Sequence, residues 1–245
     1  MAAQAPVRQH SDARWQMGPT VDQNVIGSVP LFEALGEQDQ AELRAAMNET
    51  TLRRGETLFN EGDPGDRLYI LTEGKVKLGH TSADGRENLI AVLGPGELLG
   101  ELTLFDPGPR STTATAVAST RMLELEHKEL MEFLETRPQL AKHMLKALAQ
   151  RLRRTNESLA DLVFSDVPGR VAKALLDLAD RFGEQTDEGV HVPHDLTQEE
   201  LAQLVGASRE TVNKSLAEFV SRGWIRLEGR AVLLLDTDRL RRRAR

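Results

Sequence analysis

The spacing of glycine divides this 245-residue chain into two parts that fold by different rules. Between Arg54 and Leu125 glycine recurs every few residues, whereas after His127 none occurs until Gly169. Glycine breaks helices and supplies the positive φ angles of tight turns, so the first part can form only short elements. The second part is free to form a long helix, because nothing in it interrupts one.

The glycine-rich part shows the period of two that is typical of half-buried strands. The alternating sets are Leu68 and Ile70; Val76 and Leu78; Leu89, Ala91 and Leu93; and Thr113, Thr115 and Val117. Turn sequences, EGDPGD (61–66) and SADGRE (82–87), separate the strands. Many short strands at this spacing predict a small antiparallel barrel or sandwich.

Two segments precede the barrel. Residues 1 to about 22 mix Ala, Gln, Pro and charged residues without a period, which predicts a flexible extension. The sequence VPLFEALGEQDQAELRAAM (29–47) places Leu35, Leu43 and Met47 on one apolar stripe. We expect a short helical region there that caps the barrel.

The glycine-free part carries an apolar seam with alternating spacings of three and four, which is typical of a coiled coil. Its members are Leu145, Leu148, Leu152, Thr155, Leu159 and Leu162. The seam predicts a dimerisation helix, and the alternative is an amphipathic helix packed on its own domain. The sequence SDVPG (165–169) predicts the end of this helix and a hinge, with a further helix from Val171 to Phe182.

The C-terminal part begins with a capping box, in which Thr197 and Glu200 open a helix that ends at Gly206. Ser208 then caps a second helix that runs to about Phe219. Two short helices joined by a tight turn with glycine predict a helix-turn-helix. The sequence WIRLEGRAVLLLD (224–236) predicts a hairpin wing that turns at Glu228 and Gly229.

The start of the second helix is suited to reading DNA bases. Its first residues are Arg209, Glu210, Thr211 and Lys214, and its opposite face carries Val212, Leu216 and Phe219. Arginine donates to guanine O6 and N7, and glutamate accepts from cytosine N4. A helical hairpin that serves only as scaffold is the alternative, but scaffolding does not require an exposed Arg-Glu-Thr sequence at a helix start.

Charge is segregated along the chain. The formal net charge is -7, yet the residues from Gly206 onward contain ten basic and five acidic side chains. This distribution predicts DNA binding through the C-terminal end alone. The terminal RLRRRAR (239–245) either contributes to that binding or is a solvated tail.

Composition excludes several classes of site. The chain has no cysteine, so it has no disulfide, thiolate zinc site, cysteine-held iron–sulfur cluster or cysteine nucleophile. No long apolar run and no signal sequence occur, which predicts a soluble intracellular protein without membrane contact. The six histidines show no paired spacing for a metal, which argues against a phosphodiesterase. Haem would need an axial ligand such as His80, but this histidine is explained more simply as an exposed residue of a strand.

The sequence GELTLFDPGPRSTT (100–113) combines groups that a small anionic ligand would need. Glycine allows close backbone approach, Glu101 can accept from sugar hydroxyls, and Arg110 with the adjacent hydroxyl residues can bind a phosphate. The alternative is a Glu101–Arg110 salt bridge across a hairpin, with no ligand.

That sequence resembles the phosphate-binding cassette of cyclic-nucleotide-binding domains. SRETVNKSL (208–216) resembles the recognition helix of the cyclic AMP receptor protein family, within the superfamily that also contains the fumarate-nitrate regulators. VFSDVPGRVAKALLDLA (163–179) is similar to actinobacterial members of the GlxR type. The resemblance extends from about Val25 to Asp238.

The resemblance implies an α+β fold with four segments. A flexible extension (1–22) precedes a cyclic-nucleotide-binding β-roll domain (23–136). A dimerisation helix (137–165) then leads to a winged helix-turn-helix DNA-binding domain (166–245).

The resemblance also implies a cyclic nucleotide site. Its residues are Gly100, Glu101, Leu102, Arg110, Ser111, Thr155 and Asn156. Arg110 and Ser111 would bind the cyclic phosphate, and Glu101 would accept from the ribose 2'-hydroxyl. Thr155 would contact adenine from the same subunit. Asn156, where the best-known member has Ser, would do so from the partner subunit, and it leaves the choice between cyclic AMP and cyclic GMP open.

The implied DNA site consists of Thr197, Ser208, Arg209, Glu210, Thr211 and Lys214. Lys214 replaces an arginine of the family, so guanine recognition there is weaker in a TGTGA-like half-site. The implied function is a cyclic AMP-responsive transcription regulator, a cytoplasmic homodimer that binds palindromic DNA and RNA polymerase, with no metal and no enzyme activity. The alternative is a regulator of the same superfamily with another effector, or a constitutively active one.

Overall fold

The structure is a computed structural model of the chain. It describes Phe32 and residues 35–82, 87–106, 108–138 and 164–244, with further pairs at 141–142, 145–146, 148–149, 152–153 and 155–156. The helices with defined ends in these ranges are α1 (Glu37–Ala46), α2 (Leu102–Phe105), α3 (His127–Thr136), α4 (Val167–Phe182), α5 (Gln198–Val205), α6 (Arg209–Ser221) and α7 (Thr237–Arg243). The strands are β1 (Asn48–Leu52), β2 (Thr57–Phe59), β3 (Arg67–Glu73), β4 (Val76–Thr81), β5 (Glu87–Leu93), β6 (Leu98–Leu99), β7 (Thr113–Ala116), β8 (Thr120–Glu126), β9 (Glu184–Thr186), β10 (Gly189–Val192), β11 (Ile225–Glu228) and β12 (Ala231–Leu234).

Strands β1 to β8 form a barrel of two four-stranded sheets, ordered β1-β8-β3-β6 and β2-β7-β4-β5. All pairings in the barrel are antiparallel among the described strands. Gly74 makes the reversal between β3 and β4 with a φ of 80°. A Cβ at Gly74 would lie 2.2 Å from the carbonyl oxygen of Ser119, so this turn requires glycine. The predicted antiparallel barrel is confirmed, and residues 83–86 of the predicted SADGRE turn lie outside the described residues.

Helix α1 packs on the barrel through its apolar stripe. Leu43 and Met47 belong to one buried cluster with Leu68 of β3 and Phe133 of α3, and Leu35 lies against that cluster. Burial of a leucine side chain contributes about 1.5–3 kcal/mol, so these contacts stabilise the junction of α1 with the sheet. The predicted stripe and its packing on the barrel are confirmed.

A bulge in β5 overturns the alternation that we predicted for that strand. The register of β4 with β5 shifts so that Leu78 pairs with Ala91 and Gly79 pairs with Leu89, which leaves Ile90 as the extra residue. An extra residue reverses the inward and outward order of the side chains beyond it. Ala91 therefore packs on the barrel core, whereas Leu89 packs in a separate cluster against the C-terminal part.

Strand β7 has the predicted period of two, but its buried face carries alanines. Ala114 and Ala116 are buried, while Thr113 and Thr115 are only partly buried. The hydroxyl of Thr113 accepts from the backbone N–H of Glu61 at 3.0 Å, a bond that keeps this side chain at the edge of the core.

Every described residue from 138 to 156 is helical, which confirms a helix over those residues. Leu159 and Leu162 of the predicted seam lie outside the described residues. Side chains of Leu145 and Leu152 are 67% and 61% exposed in the single chain, so they do not pack on their own barrel.

The predicted break between the two helices lies ahead of its proline and glycine. The chain bends at Ser165, and Asp166 caps α4 by accepting from the N–H of Gly169 at 2.9 Å. Pro168 and Gly169 thus lie in the first turn of α4, which begins at Val167 and not at Val171. Proline is tolerated there because the first turn leaves its N–H groups without helical partners.

The C-terminal part, residues 166–244, is a winged helix. Its sheet has the order β11-β12-β10-β9, and α5 and α6 form the helix pair. The wing turns at Gly229 and Arg230, one residue later than predicted, because Glu228 still pairs with Ala231 and Gly229 takes a φ of 70°. The predicted α+β architecture of barrel, helix and winged helix is confirmed.

The basic C-terminus is helical over residues 237–243 and not a solvated tail there. Asp236 caps α7 by accepting from the N–H of Arg239 at 2.9 Å, and Leu240 is fully buried. Arg243 contacts Asp166 at 2.6 Å and so ties α7 to the start of α4. The sequence gives no apolar pattern for this helix, because most of its residues are arginines and Leu240 is its one buried residue among those described.

Candidate nucleotide cleft and DNA-reading helix

A small cleft in the barrel brings together most of the predicted ligand residues. It has a volume of about 30 Å³. Its lining consists of Phe59, Leu78, Leu99, Gly100, Glu101, Leu102, Thr103, Arg110, Ser111 and Thr112. Five of the seven predicted ligand residues therefore share one cleft, and the turn from β6 into α2 supplies three of them.

Gly100 allows the backbone to lie close to the guanidinium of Arg110. Its φ is 78°, a conformation that side chains with a Cβ rarely adopt. A Cβ there would lie 2.2 Å from Nη1 of Arg110 and 2.8 Å from the carbonyl oxygen of Arg67. Only glycine fits this position while Arg110 keeps its place.

Arg110 is 4% exposed and is held by backbone oxygens. Its Nη2 donates to the carbonyl oxygen of Arg67 at 2.8 Å, and its Nη1 donates to that of Gly100 at 3.3 Å. The Nε atom is buried and has no hydrogen-bond partner among the described residues. A buried donor without an acceptor costs about 1–3 kcal/mol, so an anion that accepts from Nε would be bound favourably.

The surroundings of Arg110 strengthen its attraction for an anion. The guanidinium lies 4.4 Å from the ring centre of Phe59, and burial lowers the pKa of Arg110. Tyr69, Asp66 and Glu101 oppose that lowering through their charges. A charge in such a half-apolar site is screened weakly, so its attraction for a phosphate is larger than it would be at the surface.

Glu101 is 5% exposed and lines the same cleft. It occupies the N-cap position of α2 but its side chain makes no capping hydrogen bond. Its charge raises the pKa of Arg110, which is the electrostatic attraction expected of this pair. Leu102 is 48% exposed, and Ser111 is exposed where the cleft meets β7.

Thr155 and Asn156 are not part of this cleft in the single chain. Both lie on the described helical residues after the barrel, and both are exposed. Neither belongs to the cleft lining. The structure of one chain thus leaves the predicted adenine contacts untested.

The helix-turn-helix has the caps that the sequence predicts. Thr197 accepts from the N–H of Glu200 at 3.1 Å, and Glu200 accepts from the N–H of Thr197 at 2.8 Å. Gly206 ends α5 in the left-handed conformation with a φ of 68°. Ser208 then caps α6 by accepting from the N–H of Thr211 at 3.2 Å. The predicted capping box, turn and second cap are confirmed.

The outer side of α6 is exposed at the positions predicted to read bases. Arg209, Glu210 and Lys214 are all exposed, while Val212 and Phe219 are fully buried beneath them. The side chains predicted to contact bases therefore lie in solvent and the apolar face of the helix lies in the core, which is the arrangement that a recognition helix requires.

Arg170 is a functional candidate that the sequence did not reveal. Its Nε donates to the carbonyl oxygen of Val205 at 3.0 Å, and its Nη1 donates to that of Ser165 at 2.8 Å. Val205 ends α5, where carbonyl groups lack helical partners. Arg170 thus holds the turn of the helix-turn-helix to the start of α4, and no local pattern marks that role.

The described part of the chain lacks two further features. It holds no group of three or more His, Asp or Glu side chains arranged to bind a metal ion. No helix within it combines the length and apolar character needed to cross a bilayer.

Comparisons with known proteins agree with this geometry. The model of the cyclic nucleotide-binding domain matches residues 49–137, and that of the Crp-like helix-turn-helix domain matches residues 169–243. The chain is 52% identical over 221 residues, 90% of this chain and 99% of the relative, to the CRP-like cAMP-activated global transcriptional regulator of Mycobacterium tuberculosis.

The chain belongs to the family of CRP-like transcriptional regulators. This CRP-like regulator is also 35% identical to the Cyclic AMP receptor protein of Thermus thermophilus, over 81% of this chain and 88% of that protein. The c-di-GMP-responsive global regulator CLP of Xanthomonas campestris matches it in structure with a TM-score of 0.70 and 25% identity, over 81% of this chain and 99% of that one. The resemblance stated from the sequence, including that to actinobacterial members, is confirmed.

Proposed function

We propose that this CRP-like regulator binds cyclic AMP in the cleft around Arg110 and couples that binding to DNA. The observation that carries the proposal is the buried Nε of Arg110, a cationic donor without an acceptor among the described residues. Glu101 and Ser111 lie in the same cleft and suit a ribose hydroxyl and a phosphate oxygen. The names of the relatives from M. tuberculosis and T. thermophilus support cyclic AMP as the ligand.

In this proposal the cyclic phosphate accepts from Arg110 and Ser111, and Glu101 accepts from the ribose 2'-hydroxyl. Gly100 and Leu102 form the floor and rim of the site. A cleft of about 30 Å³ has to widen for a nucleotide, so Arg110 exchanges its long bond to the carbonyl oxygen of Gly100 for the phosphate.

The active form in this proposal is a homodimer. Leu145 and Leu152 are seven residues apart, helical and largely exposed, which supports burial of that stripe against a second copy. The dimer would bring Thr155 of one chain and Asn156 of its partner to one adenine. Two copies related by a twofold axis read a palindrome.

DNA binding is assigned to the start of α6. Arg209, Glu210 and Lys214 would contact base edges of a TGTGA-like half-site. Thr197, Ser208 and Thr211 would lie near phosphates at the starts of the two helices, where N–H groups attract anions. We place the protein in the cytoplasm with RNA polymerase as a partner, and we retain the division into segments 1–22, 23–136, 137–165 and 166–245.

The M. tuberculosis relative is named as a transcriptional regulator, which supports a binding protein and not an enzyme. A second effector is the competing proposal. The structural relative CLP is described as responsive to c-di-GMP, and Asn156 stands where the best-known member of the family has Ser. A regulator that binds DNA without any effector is the remaining alternative.

Calorimetric titration of the full-length protein with cyclic AMP, cyclic GMP and c-di-GMP tests the ligand. We expect one cyclic AMP per chain, bound more tightly than the other two. Arg222 is an exposed arginine at the C-cap of α6 and does not line the cleft. The variant Arg222→Met is therefore a control that should bind cyclic AMP as the wild type does. Tighter binding of c-di-GMP than of cyclic AMP would favour the second effector instead.

A further inference from the structure

The winged helix and the barrel share an interface that lies outside the cleft. Leu89 and Val92 of β5, with Val117 after β7, belong to the same buried cluster as the apolar residues of the winged helix. Helix α5 packs directly on β5. The first helix of the helix-turn-helix therefore rests on the nucleotide-binding barrel of its own chain.

Ion pairs surround this apolar contact. Lys75 Nζ lies 2.5 Å from Asp195 Oδ2, and Lys77 Nζ lies 2.6 Å from Glu200 Oε1. The side chains of Lys77 and Glu200 are only 24% and 16% exposed. Such half-buried pairs are screened less by salt than surface pairs, so they hold a defined geometry.

A close steric fit adds to these pairs. Lys75 Nζ lies 5.0 Å from the ring centre of Phe182, which ends α4. A Cβ at Gly94 would lie 2.4 Å from the same ring, so the loop after β5 accepts Phe182 only because it carries glycine there. Two elements of the winged helix, α4 and α5, are thus fitted to the barrel.

The ion pair at Glu200 reaches the start of the helix-turn-helix. Glu200 is the carboxylate of the capping box, and it accepts from the N–H of Thr197 at 2.8 Å. Burial raises the pKa of Glu200, but the hydrogen bonds from Lys77 and Thr197 lower it more. Lys77 consequently contacts the residue that fixes where α5 begins.

Strand β4 connects this contact to the cleft. Leu78 lines the cleft, and its neighbour Lys77 projects from the opposite face of the strand, because side chains alternate along β4. Lys77 pairs with Thr115 of β7, and β7 begins two residues after Ser111 of the cassette. A ligand that displaces the cassette therefore acts on the strand that holds α5.

We propose that Lys77 is a positioning residue for DNA binding, which acts through Glu200 to fix the helix-turn-helix on the barrel of its own chain. The inference rests on the proposed function and adds a route for its regulation. In this proposal ligand binding in the cleft affects the position of α5 through β4 of the same chain. This effect is additional to any effect through the dimer helix.

A double-mutant cycle tests this route. Lys77→Met, Glu200→Gln and the double variant are compared with a matched pair, Lys128→Met and Glu132→Gln, taken from an exposed lysine–glutamate pair on α3. The measurements are cyclic AMP affinity, and DNA affinity at fixed salt with and without cyclic AMP. The ratio of the two DNA affinities is the coupling, which a purely stabilising contact does not change.

We expect Lys77→Met to reduce the coupling at least fivefold while cyclic AMP affinity stays within twofold. The double variant should show no further loss, and the α3 variants should keep the full coupling. A Lys77→Met protein with the wild-type coupling would overturn the proposal, even if its melting temperature fell.

A second measurement does not depend on the ligand. The chain has no cysteine, so Glu73→Cys and Asp238→Cys give two unique sites for spin labels on exposed positions of the barrel and the winged helix. Lys77→Met should broaden the distance distribution between them, and an unchanged distribution would refute the positioning role. If cyclic AMP does not change the DNA affinity of the wild-type protein, the proposed function fails. The distance measurement still decides whether Lys77 positions the winged helix.

Discussion

The carbonyl oxygen of Gly100 accepts from Nη1 of Arg110 at 3.3 Å, and a Cβ at Gly100 would lie only 2.2 Å from that same nitrogen. The backbone at Gly100 is therefore shaped around the guanidinium. Because Arg110 is the cation that we assign to the cyclic phosphate, this relationship links a backbone conformation to ligand binding.

Gly100→Ala should damage both the fold and the cleft. The positive φ and the clash with Arg110 predict a loss of about 1–3 kcal/mol in the free energy of unfolding, and at least a tenfold loss of cyclic AMP affinity. Thermal melts and calorimetry measure the two effects. Gly108→Ala is the control, since the nearest atom to its Cβ would be 3.8 Å away. Unchanged ligand affinity in Gly100→Ala would contradict the assignment of the site.

Arg110→Met should separate ligand binding from stability. The substitution removes a buried charge and an unpartnered donor, which offsets the loss of the hydrogen bonds to the carbonyl oxygens of Arg67 and Gly100, so we expect a free energy of unfolding within about 1 kcal/mol of the wild type. Cyclic AMP should raise the melting temperature of the wild type and leave that of Arg110→Met unchanged. Stabilisation of Arg110→Met by cyclic AMP would show that the ligand binds elsewhere.

Lys214 sets the strength of base reading in our account. Lys214→Ala should weaken binding to a TGTGA-type duplex by about 1–3 kcal/mol, or roughly 5- to 150-fold, while Lys214→Arg should tighten it. Fluorescence anisotropy at one salt concentration measures both variants. Arg222→Ala, at the C-cap of the same helix and paired with Glu218, is the control. A loss in Arg222→Ala as large as that in Lys214→Ala would place the DNA elsewhere on α6.

Much of this architecture could be predicted from local patterns. The capping box at Thr197, the turn at Gly206 and the apolar face of α6 depend on neighbours in sequence, and all are confirmed. The bulge at Ile90 could not be found this way, because register depends on a strand distant in sequence. Packing of Val92 against the winged helix likewise gives β5 a second buried face, which its alternation cannot reveal.

The site was predictable to the extent that its residues are adjacent in the chain. Residues 100–103 and 110–112 line one cleft, and they lie within a short stretch of the chain. The roles of Arg170 and Lys77 could not be predicted, because each side chain contacts a residue distant in the sequence. These residues are Val205 and Glu200 respectively. A lone basic residue in a helix or strand carries no signal of such a partner.

His194 should make stability fall in mild acid. It is 6% exposed, and burial lowers its pKa from the ordinary 6.5 to about 4, with a smaller lowering by Lys75 against the opposing charges of Asp195 and Glu200. Between these pH values the unfolded chain binds a proton that the folded chain does not. Stability is therefore complete above pH 6.5 and declines by about 3 kcal/mol as pH falls toward 4.

Urea unfolding across that pH range measures the effect. His194→Gln should flatten the decline, whereas the same substitution at His80, whose side chain is 52% exposed, should leave it in place. An identical slope in wild type and His194→Gln would assign the acid sensitivity to other groups.

The most direct test of the central claim is the affinity of the full-length protein for a palindromic TGTGA-type duplex at fixed salt, without ligand, with cyclic AMP and with cyclic GMP. We predict at least a tenfold increase in affinity with cyclic AMP and a smaller one with cyclic GMP. Equal affinity in all three conditions would contradict the claim that the cleft around Arg110 controls the DNA-reading helix.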